Sequence, residues 1–239
     1  MTTQRLAPLP TKPAPAVRGK LPLGKQADRL VSVAGPLLRR NKSAVLADWL
    51  RKNLSPRELC LFLGHERSDV RQVAAFSLAA VGCRRCVDRL VPLLRDEDAG
   101  VRQMAEHGLC GIWCRLGSPT GNEWLRRGSH CLGQGDIEKA VRCFDAAIAE
   151  SPAFADAYNQ RGLAHFLQNR PDLALLDGET CLRLEPNHFV AWAAVGHAHA
   201  SLGDSAAAAE CYRHALDIHP GMHAGQEMLR EVEAAEERC

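Results

Sequence analysis

Cysteine supplies the first candidate chemistry in this sequence. Cys83 and Cys86 bracket two arginines, and Cys110 and Cys114 stand one helical turn apart further on. Two such pairs have the composition of a tetrahedral zinc site. Their spacing disfavours it. Cys83 and Cys114 would occupy equivalent points on adjacent helical hairpins, roughly 10 Å apart, and four thiolates meeting at one ion would strain both. Packed or surface thiols are the first reading, with a zinc site and a regulatory thiol pair as equal alternatives behind it. Ten cysteines without an apolar secretory segment in the first 27 residues point away from a disulfide scaffold. Cys131, Cys143, Cys181 and Cys211 fall on helix faces that suit a small apolar side chain. His197 and His199 diverge by roughly 200° on a helix and cannot chelate one ion there. His199 reads as a core residue and His197 as facing a groove. No Gly-rich phosphate loop follows a strand, and no nucleophile motif is present. No catalytic residue, cofactor or metal is therefore expected, and the chain is not expected to be an enzyme.

The elements that must position these residues repeat. A pattern of period 34 begins with Trp124, Gly128, Gly135, Ala140, Phe144, Ala147 and Pro152. It returns as Tyr158, Gly162, Ala174, Cys181 and Pro186, and then as Trp192, Gly196, Gly203, Ala208, Tyr212, Ala215 and Pro220. Small residues allow two antiparallel helices to approach closely, with the leading aromatic between them. Gly135 and Gly203 suit a left-handed reversal, and Asn169 is the next best residue for it. The prolines close each second helix. Helices are expected over 121–133, 138–150, 155–167, 172–184, 189–201 and 206–218, with Met222–Glu237 as a cap.

This pattern resembles the tetratricopeptide repeat. The resemblance implies a stack of helix pairs whose first helices line a concave groove that holds a peptide. Its groove positions fall on Asn122, Leu125, Arg126 and Ser129, then Asp156, Asn159, Gln160 and Leu163, then Val190, Ala194 and His197, with Leu132, Phe166, Ala193 and Ala200 beside them. Chaperone-binding members grip an acidic carboxylate tail with Lys, Asn and Arg at set positions. Here those positions hold Leu125, Ser129, Gln160, Val190 and Ala194, so that clamp is absent.

A second repeat precedes the first. Val70, Arg71, Ala74 and Leu78 recur 31 residues later as Val101, Arg102, Ala105 and Leu109, each set following a short leucine-rich helix. The valines open second helices, the arginines are expected to point outward, and the alanines permit close contact. Pro36-Leu37-Leu38-Arg39 followed by Val45, Ala47, Trp49 and Leu50 reads as a degenerate third copy. These repeats resemble the HEAT-like repeats of phycobilisome lyases. The His-Glu metal pairs of a HEAT-repeat iron hydroxylase find a single counterpart in His65-Glu66, without the repeated ligand set.

The expected fold is therefore all-α, an α-solenoid. It would comprise a basic Pro-rich tail (1–27), HEAT-like repeats (28–117), three tetratricopeptide repeats (121–154, 155–188 and 189–222) and a capping helix (223–239). Gly117–Gly121 would link two arrays stacked end to end along one concave face. Aromatics are only 5% of the chain and β-branched runs are missing, which leaves a sheet little to build on. Charge is graded: residues 1–53 carry a net +9 and residues 118–239 a net −8. Basic residues without interleaved aromatics do not make a nucleic-acid site. No stretch approaches the roughly 20 apolar residues of a membrane span. A cytoplasmic protein–protein adaptor is the expected function, with protein partners in the groove and on the HEAT-like surface. Neither a membrane, a nucleic acid nor a small molecule is expected as ligand. The alternative is a lyase of the bilin type or an accessory subunit of one.

Overall fold

The computed structural model describes residues 22–39 and 43–236. Every element among them is helical. The first hairpin is α1 (Leu23–Arg39) with α2 (Ser43–Asn53), matching the degenerate third copy. Leu23–Ala27, read from sequence as part of a tail, begin α1; the rest of that tail lies outside the described residues. Next come α3 (Pro56–Phe62) with α4 (Ser68–Val81), then α5 (Arg84–Leu90) and a 3-10 turn (Val91–Arg95) with α6 (Ala99–Trp113). Ser55 starts α3 through a capping box with Glu58, which satisfies donors that the first turn would otherwise leave unpaired. Gly108 and Gly111 let α6 lie against α4, because a Cβ at either would stand under 3.0 Å from Ala75 or Ala79.

The expected outward direction of the two arginines is corrected. Arg71 is buried and forms two hydrogen bonds with Asp96, at 2.8 and 2.9 Å. Its remaining nitrogen donates to the carbonyls of His65 and Glu66. Arg102 is half-buried and donates to the carbonyls of Asp96 and Glu97. Both therefore close the turns within hairpins, a use that a surface-facing pattern does not reveal.

Three helix pairs follow: α7 (Pro119–Gly133) with α8 (Ile137–Glu150), α9 (Ala155–Leu167) with α10 (Pro171–Leu184), and α11 (Phe189–Ser201) with α12 (Ser205–Ile218). They begin and end within two residues of the expected positions. Among the described residues Gly135, Asn169 and Gly203 carry the positive φ angles, 79°, 57° and 85°. Tyr158 and Trp192 each donate to the carbonyl of the proline six residues earlier, Pro152 and Pro186. Gln226 does the same to Pro220, so the cap α13 (His223–Glu236) starts like the first helix of another repeat. Met228, Leu229 and Val232 of the cap then cover Ala208 and Tyr212.

The two arrays do not stack end to end. Helix α7 begins at Pro119, behind the N-cap Ser118, so fewer residues link the arrays than expected. The chain then turns, and the loops between repeats run along α6. The Ser118 amide donates to Ser151 Oγ at 2.8 Å. Trp113, almost fully buried, stacks on His188 with centroids 4.1 Å apart and meets the edge of Phe189. His219 Nε2 lies 3.3 Å from Glu106. Arg84 donates to the Leu184 carbonyl and Arg95 to that of Asp217. Phe189 belongs to the apolar core of the first array, with Val190, Ile218 and Met222 packed against it. The physical reason lies in Trp113 and Phe189. Both large aromatics are buried where they meet, and burying that apolar area favours the side-by-side contact.

Candidate functional site

The first helices α7, α9 and α11 lie side by side and make one face of the second array. Its centre is shaped by a missing ring. In the first pair Phe144 lies over Gly128, where an added Cβ would stand 2.4 Å from the ring. In the third pair Tyr212 lies over Gly196 in the same way, at 2.7 Å. The corresponding residue of the middle pair is Gly178, and nothing aromatic covers Gly162. Val195 approaches from the next repeat, 2.4 Å from where a Gly178 Cβ would sit. What remains is a small cleft of about 40 Å³ lined by Asn159, Gly162, Leu163, Phe166, Ala174, Gly178, Ala194 and His197.

One side of the cleft is polar and fixed. The Tyr212 hydroxyl and His197 Nδ1 are 2.8 Å apart. Burial lowers the pKa of His197, so the ring is neutral in the neutral range. Asn159 is buried and donates to Asp156 Oδ1 at 3.2 Å. The other side is aliphatic: Leu163 is 42% exposed and Leu167, one turn on, 53%. The cleft is small and mostly apolar, with Asn159 and His197 as its polar lining.

All the expected groove residues but Gln160 fall into three groups. Asn159, Leu163, Ala194 and His197 meet in the central cleft, with Phe166. Asn122, Leu125, Arg126 and Ser129 line a cleft of about 460 Å³ where the arrays join, with Cys114 and Arg115 opposite. Within that second group Leu125 is buried core, and Asn122 is bonded to Gly117 and Arg115, so both hold the junction. Arg126 pairs with Glu123 of its own helix. Asp156 and Val190 turn to the interface between arrays: Asp156 Oδ1 lies 3.4 Å from His188 Nε2, and Val190 packs on the first core. Gln160 is half-buried beside neither cleft. Sequence reading missed Gly162, Ala174 and Gly178. The signal was present, since the middle repeat lacks the ring that the other two carry.

The two cysteine pairs lie apart. Cys110 and Cys114 do not join Cys83 and Cys86, and among the described residues no group of three or more His, Cys, Asp or Glu is placed to hold a metal ion. Helices α3 and α5 instead bring Cys60 to Cys86 and Cys83. His65 accepts the Arg67 amide at Nδ1, a role within its turn. Among the described residues no helix is long and apolar enough to cross a membrane.

Family models agree with the two repeat types: HEAT repeats match residues 56–127, and tetratricopeptide repeats match 125–183 and 190–221. The chain is 30% identical over 112 residues to the small glutamine-rich tetratricopeptide repeat-containing protein 2 of Saccharomyces cerevisiae, covering 47% of this chain and 32% of that protein. It is 33% identical over 120 residues to the Hsp70-Hsp90 organizing protein of Triticum aestivum, covering 49% and 21% respectively. The chain thus spans a third or less of these two relatives. The Sgt2 tetratricopeptide domain from Aspergillus fumigatus aligns at 20% identity with a TM-score of 0.49, covering 51% of this chain and 82% of that one.

Proposed function

We propose that this chain, which carries HEAT repeats followed by tetratricopeptide repeats, is a non-catalytic adaptor that holds an apolar segment of a partner protein against α9 and α11. The observation that carries this reading is the cleft left by Gly178, open beside the exposed side chains of Leu163 and Leu167. The relative from Triticum aestivum is named for organising Hsp70 and Hsp90, which supports a protein as partner. The acidic carboxylate tail that the family resemblance would imply does not suit this groove. The clamp positions hold Leu125, Ser129, Gln160, Val190 and Ala194, none of them cationic, and Val190 is taken up by the interface between arrays. An aliphatic anchor with a backbone amide or carbonyl near Asn159 and His197 fits the lining better.

A photo-crosslinking side chain at position 163 tests this. The expected adduct joins one short apolar segment of a single partner, and the same probe at position 176 yields none. Leu176 is a suitable control, being 58% exposed on the second helix α10. Equal adducts from both positions would overturn the proposal.

A further inference from the structure

Helices α3 and α5 enclose a second feature that the groove does not use. A cavity of about 630 Å³ is lined by Cys60, Cys83 and Cys86 together with Arg57, Arg85 and Arg89. Cys83 is exposed and its Sγ lies 3.8 Å from that of Cys86, which is 2% exposed. Cys86 hydrogen-bonds Cys60 as well, so one buried thiol touches two more accessible ones. The three arginines are exposed, and among the described residues none of them forms an ion pair. Unpaired guanidinium groups beside a thiol cluster attract carboxylates and leave the sulfurs within reach of whatever bears them.

We infer that this cavity is a thiol-modification site that takes a small carboxylate-bearing disulfide and ends as a Cys83–Cys86 disulfide. Cys83, as thiolate, attacks one sulfur of the incoming disulfide. That sulfur–sulfur bond breaks, and the first small thiolate leaves and takes a proton from solvent in place of the one Cys83 lost. Cys86 then gives its proton to the Cys60 thiolate and attacks Cys83 Sγ. The second small thiolate leaves with the proton held by Cys60. Two protein thiols are oxidised to one disulfide, and one small disulfide is reduced to two thiols. Cys60 suits the proton-accepting part. The hydrogen bond from Cys86 lowers its pKa, with Arg89 adding to the effect, and the same bond raises that of Cys86. Closing the pair needs little backbone movement, since Cys83 and Cys86 already face each other across the start of α5.

Glutathione disulfide and the uncharged 2-hydroxyethyl disulfide, applied separately to the full chain, test the site. Free thiols are trapped by alkylation and each cysteine is read by peptide mass spectrometry. Glutathione disulfide should react at Cys83 before the exposed Cys110 and Cys114, and faster than the uncharged disulfide by about tenfold at low salt. The advantage should shrink as salt is raised. Wild type should pass to the internal disulfide, whereas Cys86→Ser should stop at a glutathione adduct on Cys83. Replacing Arg57, Arg85 and Arg89 with Gln should remove the preference and leave the uncharged reaction unchanged. Equal rates for the two disulfides on the wild-type chain, or a glutathione adduct that persists there without ring closure, would overturn the inference. The wild-type comparisons hold even where a variant fails to fold.

Discussion

At position 178 a glycine stands where Phe144 and Tyr212 stand in the flanking repeats, and the loss of one ring opens the groove at its centre. The neighbours respond individually. Val195 fills part of the space, and the Tyr212 hydroxyl meets His197 at the cleft wall. That environment has a consequence in acid. Burial lowers the folded pKa of His197 from the usual 6.5, so the folded chain binds this proton more weakly than the unfolded chain does. The contribution of His197 to stability is thus fully present above pH 6.5, is lost as pH falls from there toward the lowered folded value, and levels off below it. Chemical denaturation across this range should show a steeper loss for wild type than for His197→Gln. Identical pH slopes would remove the burial effect from the account.

Helix α6 works as the spine between arrays. Its glycines admit α4 on one side, and Trp113 at its end receives His188 and Phe189 on the other. Elements of a repeat array ordinarily contact only their neighbours in sequence. Here residues of the last repeat share the core of the first array, so both arrays should unfold in one transition. Trp113→Ala should cost about 3–5 kcal/mol and split thermal unfolding into two steps by calorimetry. Two steps already present in the wild-type chain would contradict this. The helices themselves were readable beforehand because their signals are local. Gly135, Asn169 and Gly203 specify left-handed turns by residue type alone, and each takes one. The interface was not readable in that way. Trp113 and His188 are far apart in sequence and neither belongs to a repeat signature. Arg71 was misjudged for a related reason: its partner Asp96 belongs to the next hairpin, and residue type does not reveal which carboxylate a guanidinium will find.

On the scale of the whole molecule, folding the second array back along α6 separates two surfaces of different chemistry. One is the largely apolar groove of α9 and α11, and the other the arginine-lined thiol cavity of α3 and α5. Repetition alone predicted a single continuous groove. That groove is divided because Asp156 and Val190, at ordinary ligand-facing positions, are used by the interface, while Leu125 and Asn122 hold the junction. Four of the expected positions nevertheless meet in the central cleft, since the spacing of first helices is set by the repeat itself. The central claim is that an apolar partner side chain enters beside Gly178. The affinity of the crosslinked partner segment for wild type, Leu163→Glu and Leu176→Glu measures it most directly. Both leucines are exposed, so neither change disturbs the core. The account predicts that Leu163→Glu weakens binding by tenfold or more, about 1.4 kcal/mol, while Leu176→Glu binds as wild type. Undiminished binding by Leu163→Glu would contradict it and move the partner to another face.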